Sequence, residues 1–431
     1  MKICHVNNYC RGLHRYVGGA ETAMSRTAAI ARDHGHDNFF VTLKPDVEQP
    51  ACDYRHYAVR RWEDYLPRLV ARYVEPVKWY VWQHDHLASR DFARIMAREK
   101  PDLVHFHNVQ FPGLDLVRIA AEHGAKTLLT VYDYWIFCPN VMLLTGKDEY
   151  CRCFHGAYCV DCLPRILRTP QRLLLARRRA VFDRYMRYID RWIVLSNHSS
   201  TVLEAYGIVP DKIRLVRLTL PFEFQSLEPD DGAKVDPVVI FFAGWLQKRK
   251  GVHVLLEAMP AILKQYPQAK LRIAGLHTKF EWDYKQRIET LMAQPGLAGH
   301  VTFLGHLDSR QVEQELRQCA VVAIPEQYEN MSPLLMIEAM TLARPLVISR
   351  AGGIPEFVEE GVSGWLADPR KPLDFAEKIL YVLTHQGAAR PVAANARQKV
   401  LTLCAEARIA EDTMAAYEFA PDAPSRIRVD I

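Results

Sequence analysis

Glu338 is the one charge in a helical run, Leu334-Leu335-Met336-Ile337-Glu338-Ala339-Met340-Thr341-Leu342-Ala343. Its neighbours are apolar around the whole helix, the pattern of a buried element. An ionised carboxylate there is costly unless something hydrogen-bonds it. Glu338 therefore meets an internal partner such as Arg344, or faces a cleft where a ligand supplies hydroxyls. Upstream, Ser332-Pro333 is a helix-start signature, because serine caps an early N–H and proline at the first helical position loses none. The helix is expected to begin near Ser332, and its free amides and dipole favour a phosphate. A strand over 346–349 then runs into Ala351-Gly352-Gly353-Ile354-Pro355-Glu356, where the two glycines let the backbone come close to a ligand.

Other residues could join such a site. Val17-Gly18-Gly19-Ala20-Glu21 places a glycine pair before a helix, which suits a phosphate or a close-lying acceptor and equally a plain turn. Gly244-Trp245-Leu246-Gln247-Lys248-Arg249-Lys250-Gly251 leaves a strand with three cations in a row, able to hold a diphosphate without Mg²⁺ or simply solvated. Tyr132-Asp133 and His107 lie at the carboxyl ends of two further strands; Tyr132 can hydrogen-bond a hydroxyl, and His107 is either a cleft residue or a satisfied structural histidine. Five of the ten cysteines fall within 138–162. Cys151, Cys153, Cys159 and Cys162, with Cys138 as a substitute for one, have the C-x-C and C-x2-C spacing that suits a structural zinc, with reduced thiols the alternative.

These residues need a scaffold that brings them together. Short apolar strands alternate with helical patterns from residue 2 to about 216, and the alternation restarts at 238 after a polar, turn-rich stretch at 229–237. Strands spaced by helices predict parallel sheets with crossovers. Two doubly wound α/β halves would leave a cleft at the carboxyl ends of their strands, which is where the motifs fall.

With these motifs the chain resembles the retaining GT-B glycosyltransferases of family four, the group 1 type, over most of its length. The resemblance implies two Rossmann-like domains facing a central cleft: an acceptor-side domain at 1–228, with a Cys-rich insertion at 138–162 and a basic helix at 165–191; a donor-binding domain at 229–395; and a helix and tail at 396–431 crossing back. It implies that Glu338 holds the nucleotide ribose. Ser332, Pro333 and Leu334 would form the diphosphate turn, Lys250 would match the family's lysine, and Gly18, Gly19, Gly244, Lys248 and Arg249 would line the donor phosphates. A second carboxylate in the family faces the donor sugar, separated from the first by seven intervening residues. Here eight residues lie between Glu329 and Glu338, and Asn330, with seven between, holds the expected register, so the catalytic sugar contact falls on Glu329 or Asn330, with Glu329 favoured because a loop can absorb a residue. Two departures stand out: Trp245 replaces the family's arginine and Tyr132 its histidine.

The implied function is retaining transfer of a sugar from a UDP- or GDP-sugar to a hydroxyl, with no cofactor required for the chemistry. Alternatives are a sugar-nucleotide epimerase of the same fold and a non-catalytic binding module. Nine arginines against two acids between 165 and 191, interleaved with Leu173, Leu174, Leu175, Val181, Phe182, Tyr185 and Met186, suit an anionic membrane surface and a lipid-linked saccharide acceptor. The other reading packs that apolar side on its own domain. Nucleic acid is not expected, since no nucleic-acid motif accompanies the charge. The 431 residues are 24% charged and 49% hydrophobic and carry a net charge of +5, with no apolar run near the roughly 20 residues needed to span a bilayer. The N-terminus reads as a strand, so a cytoplasmic protein, peripheral at most on the inner membrane face, is expected.

Overall fold

A computed structural model describes residues 1–419 apart from 16, 49, 68–69, 72–74, 76, 148, 164–167, 221–223, 225–234 and 278–281. The expected domain boundary at 228–229, most of the 229–237 linker and Arg165 lie outside the described residues.

Among the described residues thirteen strands form two sheets. The first contains β1 (Lys2–Val6), β2 (Asp37–Leu43), β3 (Arg55–Val59), β4 (Leu103–Phe106), β5 (Lys126–Thr130), β6 (Arg191–Val194) and β7 (Ile213–Leu215). The second contains β8 (Asp236–Ala243), β9 (Lys270–Ala274), β10 (Val301–Gly305), β11 (Cys319–Ile324), β12 (Leu346–Ser349) and β13 (Trp365–Ala367). Their orders are β3-β2-β1-β4-β5-β6-β7 and β10-β9-β8-β11-β12-β13. All the pairings are parallel. Strands buried on both faces read as continuous apolar runs, and CAVVAI in β11 and LVIS in β12 are buried at every position.

In each sheet the order reverses once, between β1 and β4 and between β8 and β11. Chains leaving adjacent strands at such a point diverge to opposite faces and open a crevice at the carboxyl ends. Gly244 follows β8 and Pro325 follows β11, so the two loops with most of the candidate donor residues leave the sheet side by side.

Helices α1 (Gly19–Asp33), α2 (His86–Glu99), α3 (Asp115–Glu122), α4 (Arg168–Met186) and α5 (Asn197–Tyr206) accompany the first sheet. Helices α6 (Val252–Gln265), α7 (Trp282–Met292), α8 (Ser309–Gln318), α9 (Leu334–Thr341), α10 (Ile354–Phe357), α11 (Pro372–Thr384) and α12 (Gln386–Leu403) accompany the second. The last helix, α13 (Glu406–Tyr417), returns to the first half. There the Tyr417 hydroxyl reaches His105 Nδ1 at 2.8 Å, and Arg191 donates to the carbonyl of Ala416 at 2.6 Å. Ile3, Ile30, Leu103, Ile193 and Ile409 share the apolar cluster beneath it.

Helix α4 departs from a membrane-facing surface helix. Leu175, Phe182, Tyr185 and Met186 are buried in the protein's own core, which leaves Leu173, 77% exposed, as the one large apolar side chain of this helix that is mostly in solvent. Arg172, Arg177, Arg179, Arg184 and Arg187 are exposed, whereas Arg178 is wholly buried. The Arg178 guanidinium donates to His155 Nδ1 at 2.9 Å and to the carbonyls of Tyr80 and Trp135, and stacks 3.8 Å from the Phe182 ring. Burial lowers its pKa to about 9. Among the described residues no helix is long and apolar enough to cross a membrane.

Arg178→Ala should leave two buried carbonyls without their donor and open a cavity, costing about 3 kcal/mol or more of unfolding free energy. Arg177→Ala should cost under about 0.5 kcal/mol. Urea unfolding of the two variants measures the difference.

Candidate active site

The second half builds its side of the cleft from the chain between β11 and α9. Gly251 has φ +72°, and a Cβ there would lie 1.9 Å from the Pro325 carbonyl oxygen. Only glycine allows that approach, which seats the cation loop after β8 on the end of β11. Lys250 Nζ then meets Glu326 Oε1 at 2.5 Å, and Arg249 donates to the Tyr328 hydroxyl at 3.3 Å and lies over its ring. Burial lowers the Lys250 pKa, opposed by the Glu326 carboxylate. Lys250 is thus held by a buried acid that sequence reasoning passed over. Lys248 occupies the same short turn, half-buried.

The paired carboxylate candidates separate cleanly. Asn330, in the family's register, turns away from the cleft: its amide donates to Glu326 Oε1 at 3.0 Å and its Oδ1 accepts the Ser332 N–H at 3.2 Å. Glu329 reaches across to the first half, where Oε1 meets Arg152 at 2.5 Å and His198 Nε2 at 2.9 Å. Burial would raise the Glu329 pKa, but hydrogen bonds from His198 and Arg152 bring it below the ordinary carboxylate value. Arg152 comes from the Cys-rich segment and His198 from the start of α5.

The double glycine packs against this loop. A Cβ on Gly352, whose φ is +56°, would lie 2.3 Å from the Asn330 carbonyl oxygen; one on Gly353 would lie 2.2 Å from that of Met331 and 2.5 Å from Ser196 Cβ. Three segments thus meet at van der Waals distance. Beside them Glu356 accepts from the His198 backbone N–H at 2.9 Å, from Asn197 Nδ2 at 3.0 Å and from Arg217 at 2.7 Å, so an acid at the start of α10 satisfies one open amide of α5.

Helix α9 starts one residue later than its cap signature suggests. Pro333 is the N-cap and accepts from Met336 N–H at 3.1 Å, while the Ser332 hydroxyl is buried with no hydrogen-bond partner among the described residues. The Asn330 link to the Ser332 amide draws the serine back into the loop. Leu334 and Glu338, one turn apart, are the only residues of α9 not fully buried, and so mark its cleft face. Gly19 stands opposite: a Cβ there would lie 3.2 Å from Leu334 Cδ1. The Gly18 N–H is taken by Glu21 Oε2 at 2.8 Å, an internal cap. Gly18, Gly19, Ser332, Pro333 and Leu334 are therefore gathered at one place, with Gly244 at the crevice mouth.

On the first half, Asp133 caps a turn through the Trp135 N–H at 3.0 Å; burial raises its pKa, and Arg249 across the cleft lowers it. Tyr132 is half-buried and lines a narrow pocket with Leu334, Arg26 and Arg217. His107 is no cleft residue: it is 2% exposed and hydrogen-bonded to Tyr132 and His5.

The cysteine quartet does not assemble. All ten cysteines are free thiols, and the only His, Cys, Asp or Glu group among the described residues with three ligand atoms mutually within 4.8 Å is His5, His105 and His107. Cys159 donates instead to the Phe154 carbonyl at 3.3 Å, and burial pushes its pKa up to about 12 and that of Cys138 to about 11. Thiols set this far apart do not fit a common zinc ion. The three histidines fit one little better, since every ring nitrogen already has a hydrogen-bond partner.

Two family models match consecutive parts of the chain: Glycosyltransferase Family 4 over residues 17–218 and Glycosyl transferases group 1 over 224–399. The chain belongs to the group 1 glycosyltransferases. An uncharacterized glycosyltransferase of Methanocaldococcus jannaschii is 31% identical over 235 residues, 52% of this chain and 58% of that one. Glycogen synthase of Mycobacterium tuberculosis is 27% identical over 232 residues, 51% of this chain and 53% of that one. The matched stretch thus spans a little over half the length of these relatives. Among solved structures, sucrose-phosphate synthase from Thermosynechococcus elongatus superposes with a TM-score of 0.71 at 20% identity, covering 96% of this chain and 98% of that one. Anabaena HepE in complex with UDP-glucose gives 0.70 at 17%, covering 97% and 99%. At such identity the likeness is one of fold, and the fold of this group 1 glycosyltransferase is GT-B.

Gly353→Ala should force the 329–331 loop and Ser196 apart and lower the unfolding free energy by about 1–3 kcal/mol. Gly387→Ala, in α12 with nothing within 4 Å of its added Cβ, should be neutral or stabilise by up to about 1 kcal/mol. Urea melts compare them.

Proposed function

We propose that the protein is a retaining glycosyltransferase that moves a sugar from a UDP- or GDP-sugar to an acceptor hydroxyl. The observation that carries this reading is the meeting of the α9 start, with Leu334 and Glu338 on its less buried face, and the Gly18-Gly19 turn of the opposite half. The first-turn amides of α9, which have no acceptor within the helix, would take the diphosphate. Lys250 would add positive charge as the phosphate leaves, and Glu338 would hold the ribose hydroxyls. The sugar C1–phosphate oxygen bond breaks as the acceptor oxygen bonds to C1 on the same face, and the acceptor's proton passes to the departing phosphate. Glu329, fixed by Arg152 and His198, would face the sugar in place of Asn330. The Anabaena relative in fold was solved with UDP-glucose, which supports a nucleotide-sugar donor here.

Slow donor hydrolysis with a panel of UDP- and GDP-sugars tests the reading, and no hydrolysis or binding of any donor would leave only a non-catalytic module. Glu338→Ala should raise KM for the preferred donor roughly 10-fold or more, the cost of losing a charged hydrogen bond.

For the acceptor we infer a lipid-linked saccharide. The support is the arginine face of α4: with the helix's apolar side already packed, attraction to a membrane would come from exposed Arg172, Arg177, Arg179 and Arg184 and from Arg187 just past its end, each adding about 1 kcal/mol near an anionic surface. Flotation should recover the protein with anionic vesicles and lose it with neutral ones or above roughly 0.5 M salt. Equal recovery from both vesicle types would count against a membrane-bound acceptor.

A further inference from the structure

The loop after β1 and the loop after β2 are stapled to each other beside α1. The Ala51 N–H donates to the Gly12 carbonyl at 3.0 Å and the Asp46 N–H to that of Leu13 at 3.1 Å, while Asp46 Oδ1 accepts the Arg15 N–H at 2.8 Å. Gly12 makes this approach possible: its φ is +79°, and a Cβ there would lie 2.2 Å from the Ala51 carbonyl oxygen. Tyr54 stacks on Phe40 with centroids 4.5 Å apart, which holds the end of the second loop against β2. Fixed in this way, the two loops carry Cys10 and Cys52 into one apolar cluster with Leu13, Met24 and Phe40. The two thiols are hydrogen-bonded to each other, and the Tyr54 N–H is a further donor to the Cys52 sulfur. Cys10 Sγ also has an acceptor in the Arg11 carbonyl at 3.4 Å. Burial separates their roles: Cys10 is 1% exposed, whereas Cys52 is half-buried and lines a groove with Arg11 and Arg32.

We propose that Cys10 and Cys52 form a thiol–disulfide exchange site, with Cys52 the attacking thiol and Cys10 the resolving one, at which a small-molecule disulfide closes a Cys10–Cys52 bond. The Cys52 thiolate attacks one sulfur of the small disulfide, whose S–S bond breaks, and one small thiol leaves. Cys10 then attacks the Cys52 sulfur, the mixed disulfide breaks, and the second small thiol leaves. Two electrons pass from the protein thiols to the small disulfide, and their two protons end on the two released thiols. The hydrogen bond from Cys10 brings the Cys52 pKa down to about 7, helped by the Tyr54 N–H and opposed by burial and Asp53, and the same pairing pushes the Cys10 pKa up. Attack therefore begins at the sulfur that is both reachable and ionised, and Cys10 is shielded from the bulk reagent until its partner has reacted. The site stands independently of the donor-binding reading.

Two readouts on the full chain test this. Native protein is incubated with oxidised glutathione and mapped by non-reducing peptide mass spectrometry. Wild type should yield a linked Cys10–Cys52 peptide pair that dithiothreitol separates, and its Tm should rise on oxidation, because the bond encloses β2 in a covalent ring and restricts the unfolded chain. Cys10→Ala should stop at a glutathione held on Cys52, and Cys52→Ala should leave Cys10 unmodified. Glutathione that stays on Cys52 in wild type, or a link that forms only in urea, would overturn the proposal. The second readout needs no folded variant: iodoacetamide labelling of wild-type Cys52, followed against pH, should rise through a midpoint near 7. A midpoint at the ordinary thiol value of about 8.5 would overturn the assignment of Cys52 as the attacking thiol. Where Cys10→Ala keeps the wild-type melting curve, its midpoint should move up toward that value, and an unmoved midpoint would show that Cys10 does not activate Cys52.

Discussion

The carboxylate of Glu329 is gripped between Arg152 and His198, and the loop that carries it can run where it does only because Gly352 and Gly353 lie beneath it. Through that one side chain the second half holds the Cys-rich segment and the start of α5 of the first. Gly353 lies against Ser196 in the same place, and Glu356 accepts the His198 amide of α5 beside it. The cleft's geometry thus follows from contacts among residues distant in sequence that must all form together. Removing one partner of a buried pair exposes the other to an unmet desolvation cost, which gives such a cluster its cooperativity.

A second acid plays the matching role inside the second half. Glu326 is 1% exposed and takes both Lys250 and the Asn330 amide, so the cation loop and the chain before α9 are fixed relative to each other. This arrangement explains why the register residue and the favoured residue diverge. The extra residue between Glu329 and Glu338 is absorbed by turning Asn330 inward, where an amide satisfies a carboxylate, and Glu329 is left facing the other half. Pairing Lys250 with Glu326 sets the cation's position, so on the proposed reading a diphosphate at the α9 start would meet it in place without a large side-chain search.

Much of the scaffold was legible because parallel strands buried on both sides announce themselves as short apolar runs. Leu346–Ser349 has the bounds that the pattern predicts. β3 was not, since RHYAV is polar and only Val59 is buried, and β13 has just three residues. Glu338 and the glycine turn at 18–19 could be read because their signals are local. Arg152, His198, Glu326 and Glu356 could not, for each is an ordinary charged or polar residue until folding brings its partner. Ser332 misled because its amide has a competing acceptor in Asn330. The arginine run misled in part because helical spacing turns Arg178 into the core while its neighbours face water. Cysteine spacing predicted a common ion, yet the backbone sends Cys159 to a carbonyl instead.

The central claim is that the two halves meet around a nucleotide diphosphate at the start of α9. A crystal structure of the protein with UDP tests it most directly. The diphosphate should lie on the first turn of α9 between Gly19 and Lys250, with the ribose hydroxyls on Glu338. A nucleotide bound elsewhere, beyond hydrogen-bond reach of Glu338, would contradict the account.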